Sequence, residues 1–130
     1  LADPQKVLEE TWRVLRIGGK IYCEVPFLYP VHHLEDYYRW TLPGLEILCS
    51  CFHKIRSGTC MGPFSAVSVI LRRVATHRVR SPHLEAGIDL ALGWVLSPLK
   101  VFDRVMSYSS EDCLVGGAFY FVGEKNNKSG

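Results

Sequence analysis

Two imidazoles, a carboxylate, a guanidinium and three aromatic rings crowd one short stretch, at His32, His33, Asp36, Tyr37, Tyr38, Arg39 and Trp40. An imidazole titrates near neutrality, so His32 or His33 fits a general base that takes a proton from an oxygen or nitrogen nucleophile. Asp36 fits the group that orients the ring, Arg39 one that holds an anion on a substrate, and Tyr37 and Tyr38 fit pocket walls. The same residues admit a plainer reading. Asp36 and Arg39 lie three apart, a spacing that forms local ion pairs, and the rings can hold the segment down on a sheet.

Other groupings carry less. Cys49-x-Cys51-x-His53 has one-residue gaps where structural zinc sites use two to four, so the thiols are read as core residues at a helix end. Arg72, Arg73, His77, Arg78 and Arg80 form one basic cluster. It is read as a solvated helix face, with a phosphate-bearing acceptor or a membrane surface near Trp94 as the rarer uses. Glu24, near a strand end, can face either a pocket or solvent.

The elements that hold these residues follow from local signals. Asp3-Pro4 caps a helix whose apolar face is Val7, Leu8, Thr11, Val14 and Leu15, and Gly18-Gly19 supplies a left-handed residue to close it. Residues 20–25 are rich in strand formers and stop at Pro26. The reactive stretch is then a loop, with a short helical turn. Thr41 caps a helix from Leu42 to about Ser50, with Leu45, Leu48 and Cys49 inward, and a strand follows at Phe52 to Thr59. Pro63 opens a helix in which Val67, Ile70, Leu71 and Val74 share a face. A basic loop, His77 to Ser81, leads to helical residues 84–106, interrupted at Pro98. Residues 117–123 form a last strand, and 125–130 a polar frayed end. Helix, glycine turn and strand in close succession suggest an alternating α/β fold over a parallel sheet.

These residues together resemble class I S-adenosylmethionine-dependent methyltransferases, in the methyltransferase type 11-like branch. The Asp3-Pro4 helix, Arg13-Val14-Leu15-Arg16-Ile17-Gly18-Gly19 and Ile21-Tyr22 with Glu24-Val25-Pro26 look like that family's fourth helix and fifth strand, with Ile17 where proline is usual. Pro26-Phe27-Leu28, His32, Asp36-Tyr37-Tyr38-Arg39-Trp40-Thr41 and Gly44-Leu45 look like the loop and helix that follow. Gly62-Pro63, Ser65-Ala66 and residues 117–123 match the sixth strand's exit and the seventh strand.

The resemblance implies the second half of a Rossmann-like class I methyltransferase sheet, in the order helix, strand five, helix, strand six, helical insertion at about 63–107, strand seven. Residues 1–130 would be one partial domain. The amino-terminal, cofactor-binding half is missing from this expectation, because no G-x-G-x-G stands between a strand and a helix. A start at Leu1, directly ahead of a helix cap, is read the same way. The implied activity is methyl transfer from S-adenosylmethionine to a small-molecule or carbohydrate-like acceptor in the intact enzyme, with this chain alone inactive. His32, His33 and Asp36 would be catalytic, and Tyr37, Tyr38 and Arg39 would bind the acceptor. The sheet would need the amino-terminal half or another chain to cover it, and alone would be sticky. The alternative is a non-catalytic remnant or partner-binding module that kept half the fold.

Composition narrows the classes further. A hydrophobic fraction of 48% over 130 residues supports a folded core, and a net charge of +2 does not call for nucleic acid. Five cysteines without a framework spacing are read as reduced thiols in a cytoplasmic protein, and no apolar run is long enough for a membrane span. A nicotinamide-dependent oxidoreductase is set aside: no tyrosine is followed four residues later by lysine.

Overall fold

A computed structural model describes residues 3–31, 36–105 and 115–126. The first helix, α1 (Pro4–Val14), starts where the sequence says it must: the Asp3 carboxylate accepts from the Lys6 amide at 3.1 Å and Pro4 occupies the first turn. Leu15 is already extended, and Gly18, at φ 75°, makes the left-handed turn that only glycine adopts without strain. The orphan carbonyls of α1 are met from the far end of the chain. Lys125 Nζ donates to the carbonyls of Trp12 at 2.5 Å and Leu15 at 2.6 Å, and lies 5.2 Å from the Trp12 ring centroid. Lys125 is therefore not part of a frayed end, since its backbone also pairs with Gly18 and Gly19.

Three strands form one sheet: β1 (Lys20–Pro26), β2 (His53–Met61) and β3 (Ala118–Glu124), in the order β1-β3-β2. The expected parallel sheet is corrected here, because both ladders are antiparallel. The last strand enters between the first two, which consequently run in the same direction without touching. In β1 the register is unbroken from Lys20 opposite Glu124 to Pro26 opposite Ala118. β2 carries two irregularities, at Lys54/Arg56 and Thr59/Met61, which with its charged side chains blunt that outer edge.

The short helix α2 (Leu42–Leu48) is capped by Thr41, whose hydroxyl accepts from the Gly44 amide at 3.2 Å. Its Leu42 and Leu45 join Leu8, Cys49, Phe52, Phe119 and Phe121 in the buried core, on the sheet face that α1 and α2 share. Trp12 closes that core edge-on to Phe52, with ring centroids 5.2 Å apart. Glu46 ties α2 to β2: it accepts from Ser57 and pairs with Lys54 at 3.1 Å, and the Ser57 hydroxyl holds its carboxyl below the usual range.

Beyond β2 lie three helices, α3 (Pro63–Thr76), α4 (Pro82–Leu96) and α5 (Leu99–Val105), within the span expected for the insertion. The break between α4 and α5 falls at Pro98, where proline cannot donate into the helix, and Ser97 Oγ instead donates to the Trp94 carbonyl at 2.9 Å. Helix α3 has glycine, not a capping side chain, at Gly62. Asp103 of α5 does the capping, accepting from the amides of Phe64 at 3.0 Å and Ser65 at 2.7 Å, and a Cβ on Gly62 would collide with its carboxylate. Arg72 and Asp89 pair between α3 and α4. Val67, Ile70, Leu71 and Val74 do share one side of α3, and that side faces solvent.

Among the described residues no helix is long and apolar enough to cross a membrane.

Candidate functional site

The segment after β1 leaves the sheet and comes back to it. Phe27 donates to the Gly117 carbonyl at 2.9 Å, and Trp40 returns to donate to the Pro26 carbonyl at 3.4 Å, so residues 36–40 sit over the carboxyl end of β1. Arg39 fastens this return. Its Nη2 donates to Asp36 Oδ2 at 2.7 Å and to the Tyr29 carbonyl at 3.3 Å, its Nη1 to Asp36 Oδ1 and to the Tyr38 carbonyl at 2.9 Å. The fork on Asp36 is bidentate and partly buried, and it pushes the guanidinium pKa up, because the charged form is the one that is hydrogen-bonded.

Beside the unpaired edge of β1 lies a cleft of about 240 Å³. Leu8 of α1 and Cys23 and Val25 of β1 form its floor, and Tyr37, Tyr38 and Trp40 its wall, with Asp36 at the rim. Tyr38 stacks on Trp40 at 5.6 Å and Tyr37 meets Tyr38 edge-on at 6.5 Å, an aromatic wall that carries two hydroxyls. The structure thus brings Asp36, Tyr37, Tyr38 and Arg39 together. His32 and His33 lie outside the described residues. Arg39 is engaged with Asp36 and two carbonyls, so its geometry is that of a loop clamp rather than of a free anion receptor, and Asp36 is the carboxylate that it clamps. Glu24 lines the same cleft and accepts from the Tyr22 hydroxyl at 2.8 Å, which raises the phenol pKa to about 12.

Two features carried no signal in the sequence. Cys23 on β1 meets Cys49 at the end of α2, a contact between residues that no spacing rule connects. The Cys49 thiol is fully buried and donates to Cys23, which brings the Cys23 pKa down to about 7 while Cys49 is pushed up beside it. The thiolate of Cys23 is therefore favoured by folding: its contribution to stability is complete above the ordinary thiol range and is lost as pH falls through about 7. Alkylation of Cys23 by iodoacetamide, followed by mass mapping against pH, is expected to reach half its maximal rate near pH 7, and Cys49→Ala is expected to return the midpoint toward about 8.5. A wild-type midpoint already in the ordinary thiol range would contradict the contact.

The second feature is a wider cleft of about 580 Å³ between the loop at Tyr29 and Pro30 and helices α3 and α4, crossed by the Arg72 and Asp89 pair. As for metal, Cys49 is buried, Cys51 packs on the core and His53 is exposed on β2, and no cluster of three ligating groups exists among the described residues. Comparison with protein-family models, with curated proteins and with solved structures gives no match.

Proposed function

We propose that this chain is the acceptor-side half of a class I S-adenosylmethionine-dependent methyltransferase, acting on a small-molecule or carbohydrate-like acceptor and reading as part of a Rossmann-like sheet. One observation carries the proposal. β1 has a single partner among the described strands, and the cleft at its free edge is lined by Asp36, Tyr37, Tyr38 and Trp40, from the segment that resembles the family's loop. Ligands of alternating helix and strand folds bind outside the carboxyl ends of strands, where this wall stands. Two strands in one direction with an antiparallel strand in the same sheet is also a recurrent variant of such folds.

The described residues do not fit the cofactor itself. The turn that follows β1 presents Phe27, Leu28, Tyr29 and Pro30, and Gly18, the one left-handed glycine among the described residues, stands at the opposite end of that strand. In this reading S-adenosylmethionine is held by an upstream half and supplies the methyl group from there. What this chain contributes is alignment. Tyr38 and Trp40 offer a stacking surface to a flat or ring-shaped acceptor, Tyr37 offers a hydroxyl, and the Arg39 clamp fixes their positions. His32 or His33 is the proposed base where an oxygen or nitrogen nucleophile must lose a proton.

Isothermal titration of the 130-residue chain with S-adenosylhomocysteine tests the division of labour. The expected result is no heat of binding; saturable binding would sink the assignment of the donor site to another half. The unbulged edge of β1 also favours a second reading, a non-catalytic module that completes its sheet on another chain.

A further inference from the structure

Helix α4 of the insertion is apolar on the side it exposes as well as on the side it packs. In a water-facing helix the charged residues point outward and the apolar stripe inward. In α4 the half-buried side carries Ile88, Leu92 and Leu96 together with Glu85 and Asp89, and the opposite, exposed arc is apolar too, with Leu84, Gly87, Leu90, Ala91, Trp94 and Val95. At 3.6 residues per turn these six span an arc of about 140° that holds no Asp, Glu, Lys or Arg and one imidazole, His83. Trp94 is 76% exposed and Leu90 64%, and not one residue of α4 is buried. Helix α5, which follows α4 after Pro98, also exposes Val101 and Val105, one turn apart, with Phe102 half-exposed.

The charges around this surface are equally one-sided. Between residues 63 and 105 stand six cations and three acids, a balance of +3 that exceeds the +2 of the whole chain. Two of the acids are consumed internally, Asp89 by Arg72 and Asp103 by the amides that open α3. Arg73 is drawn to Asp89 beside Arg72, and among the described residues no acid forms an ion pair with Arg78, Arg80, Lys100 or Arg104. Lys100 and Arg104, one turn apart on α5, flank Val101 and Val105, the arrangement in which long cationic side chains reach up from an apolar surface to a charged layer.

We infer that the outer surface of α4 and α5 docks on an anionic lipid bilayer, lying in its interface with Trp94, Leu90, Val101 and Val105 in the acyl boundary and the cations among the headgroups. Neither helix is long enough to span, so the contact is peripheral. Charge complementarity selects this occupant over a second copy, because a two-fold contact would set the same unpaired cations against each other. The inference is independent of the methyl-transfer reading.

Co-sedimentation of the chain with phosphatidylcholine vesicles, with and without phosphatidylserine, is the test. Binding is expected to be at least about tenfold stronger with phosphatidylserine and to weaken with salt. Leu90→Glu with Trp94→Glu, both at exposed positions, is expected to lower partition about tenfold or more into either vesicle. Lys100→Glu with Arg104→Glu is expected to remove the preference for phosphatidylserine. In the unaltered chain, brominated lipids are expected to quench tryptophan emission, and Trp94→Phe to abolish that quenching. Equal partition into both vesicles, full binding by either double variant, or no binding together with a two-chain mass that Trp94→Glu abolishes would each overturn the proposal.

Discussion

Arg39→Ala is expected to lower the stability of the chain by about 1–3 kcal/mol, because it removes a bidentate, charge-assisted pair from the Asp36 carboxylate, which is largely shielded from water. The side chains of Arg39 and Asp36 are only 27% and 15% exposed, so solvent screens the pair little. The loss reaches further than one ion pair, since the same guanidinium holds the Tyr29 and Tyr38 carbonyls and so the return of the loop to β1. Arg39→Lys is expected to recover only part of it, as an ammonium cannot fork across both carboxylate oxygens. Urea unfolding of the three proteins measures this. A midpoint for Arg39→Ala indistinguishable from the parent would show the guanidinium to be idle in the fold and would return it to the role of anion receptor.

Phe121→Ala is expected to cost about 3–5 kcal/mol, the range for a large side chain removed from a packed interior. Phe121 is 1% exposed in the central strand and shares the core with Phe52, Leu45 and Leu8. Domain stabilities run to about 5–15 kcal/mol, so a three-stranded sheet would keep little margin after this change. Phe64 is the contrast: it meets Phe102 at 5.7 Å between α3 and α5, outside the core, and Phe64→Ala is expected to cost less than half as much. Thermal unfolding that ranks the two variants in the reverse order would place the main core in the helical insertion.

What the sequence makes legible here is what depends on neighbours a few residues apart. Asp3 with Pro4, Thr41 ahead of Leu42, Gly18 after α1 and Pro98 between α4 and α5 each act within one turn of chain, and each stands where its residue type requires. Interactions that span the chain leave no such mark. Asp103 caps a helix that begins 40 residues earlier, at Pro63, and Lys125 caps one that ends near Leu15; each reads in sequence as an ordinary surface charge. The same limit explains the sheet, because β3 inserts between two strands that were formed long before it in chain order.

Periodicity has a further limit that α3 and α4 make plain. It identifies which residues share a side of a helix, as it does for Val67, Ile70, Leu71 and Val74, but it does not say whether that side faces the core. Within the candidate site, the grouping of Asp36, Tyr37, Tyr38 and Arg39 was legible because they adjoin in sequence. Cys23 was not, because its partner Cys49 arrives from another element.

In the proposed reading a donor-binding half precedes these residues and continues the sheet from the free edge of β1. Reading the genomic frame upstream of the Leu1 codon tests it most directly. A strand, a glycine-rich turn and a helix within about a hundred residues, the scale of half an ordinary domain, are the expected result. A stop codon in that interval, with no such turn before Leu1, would contradict it.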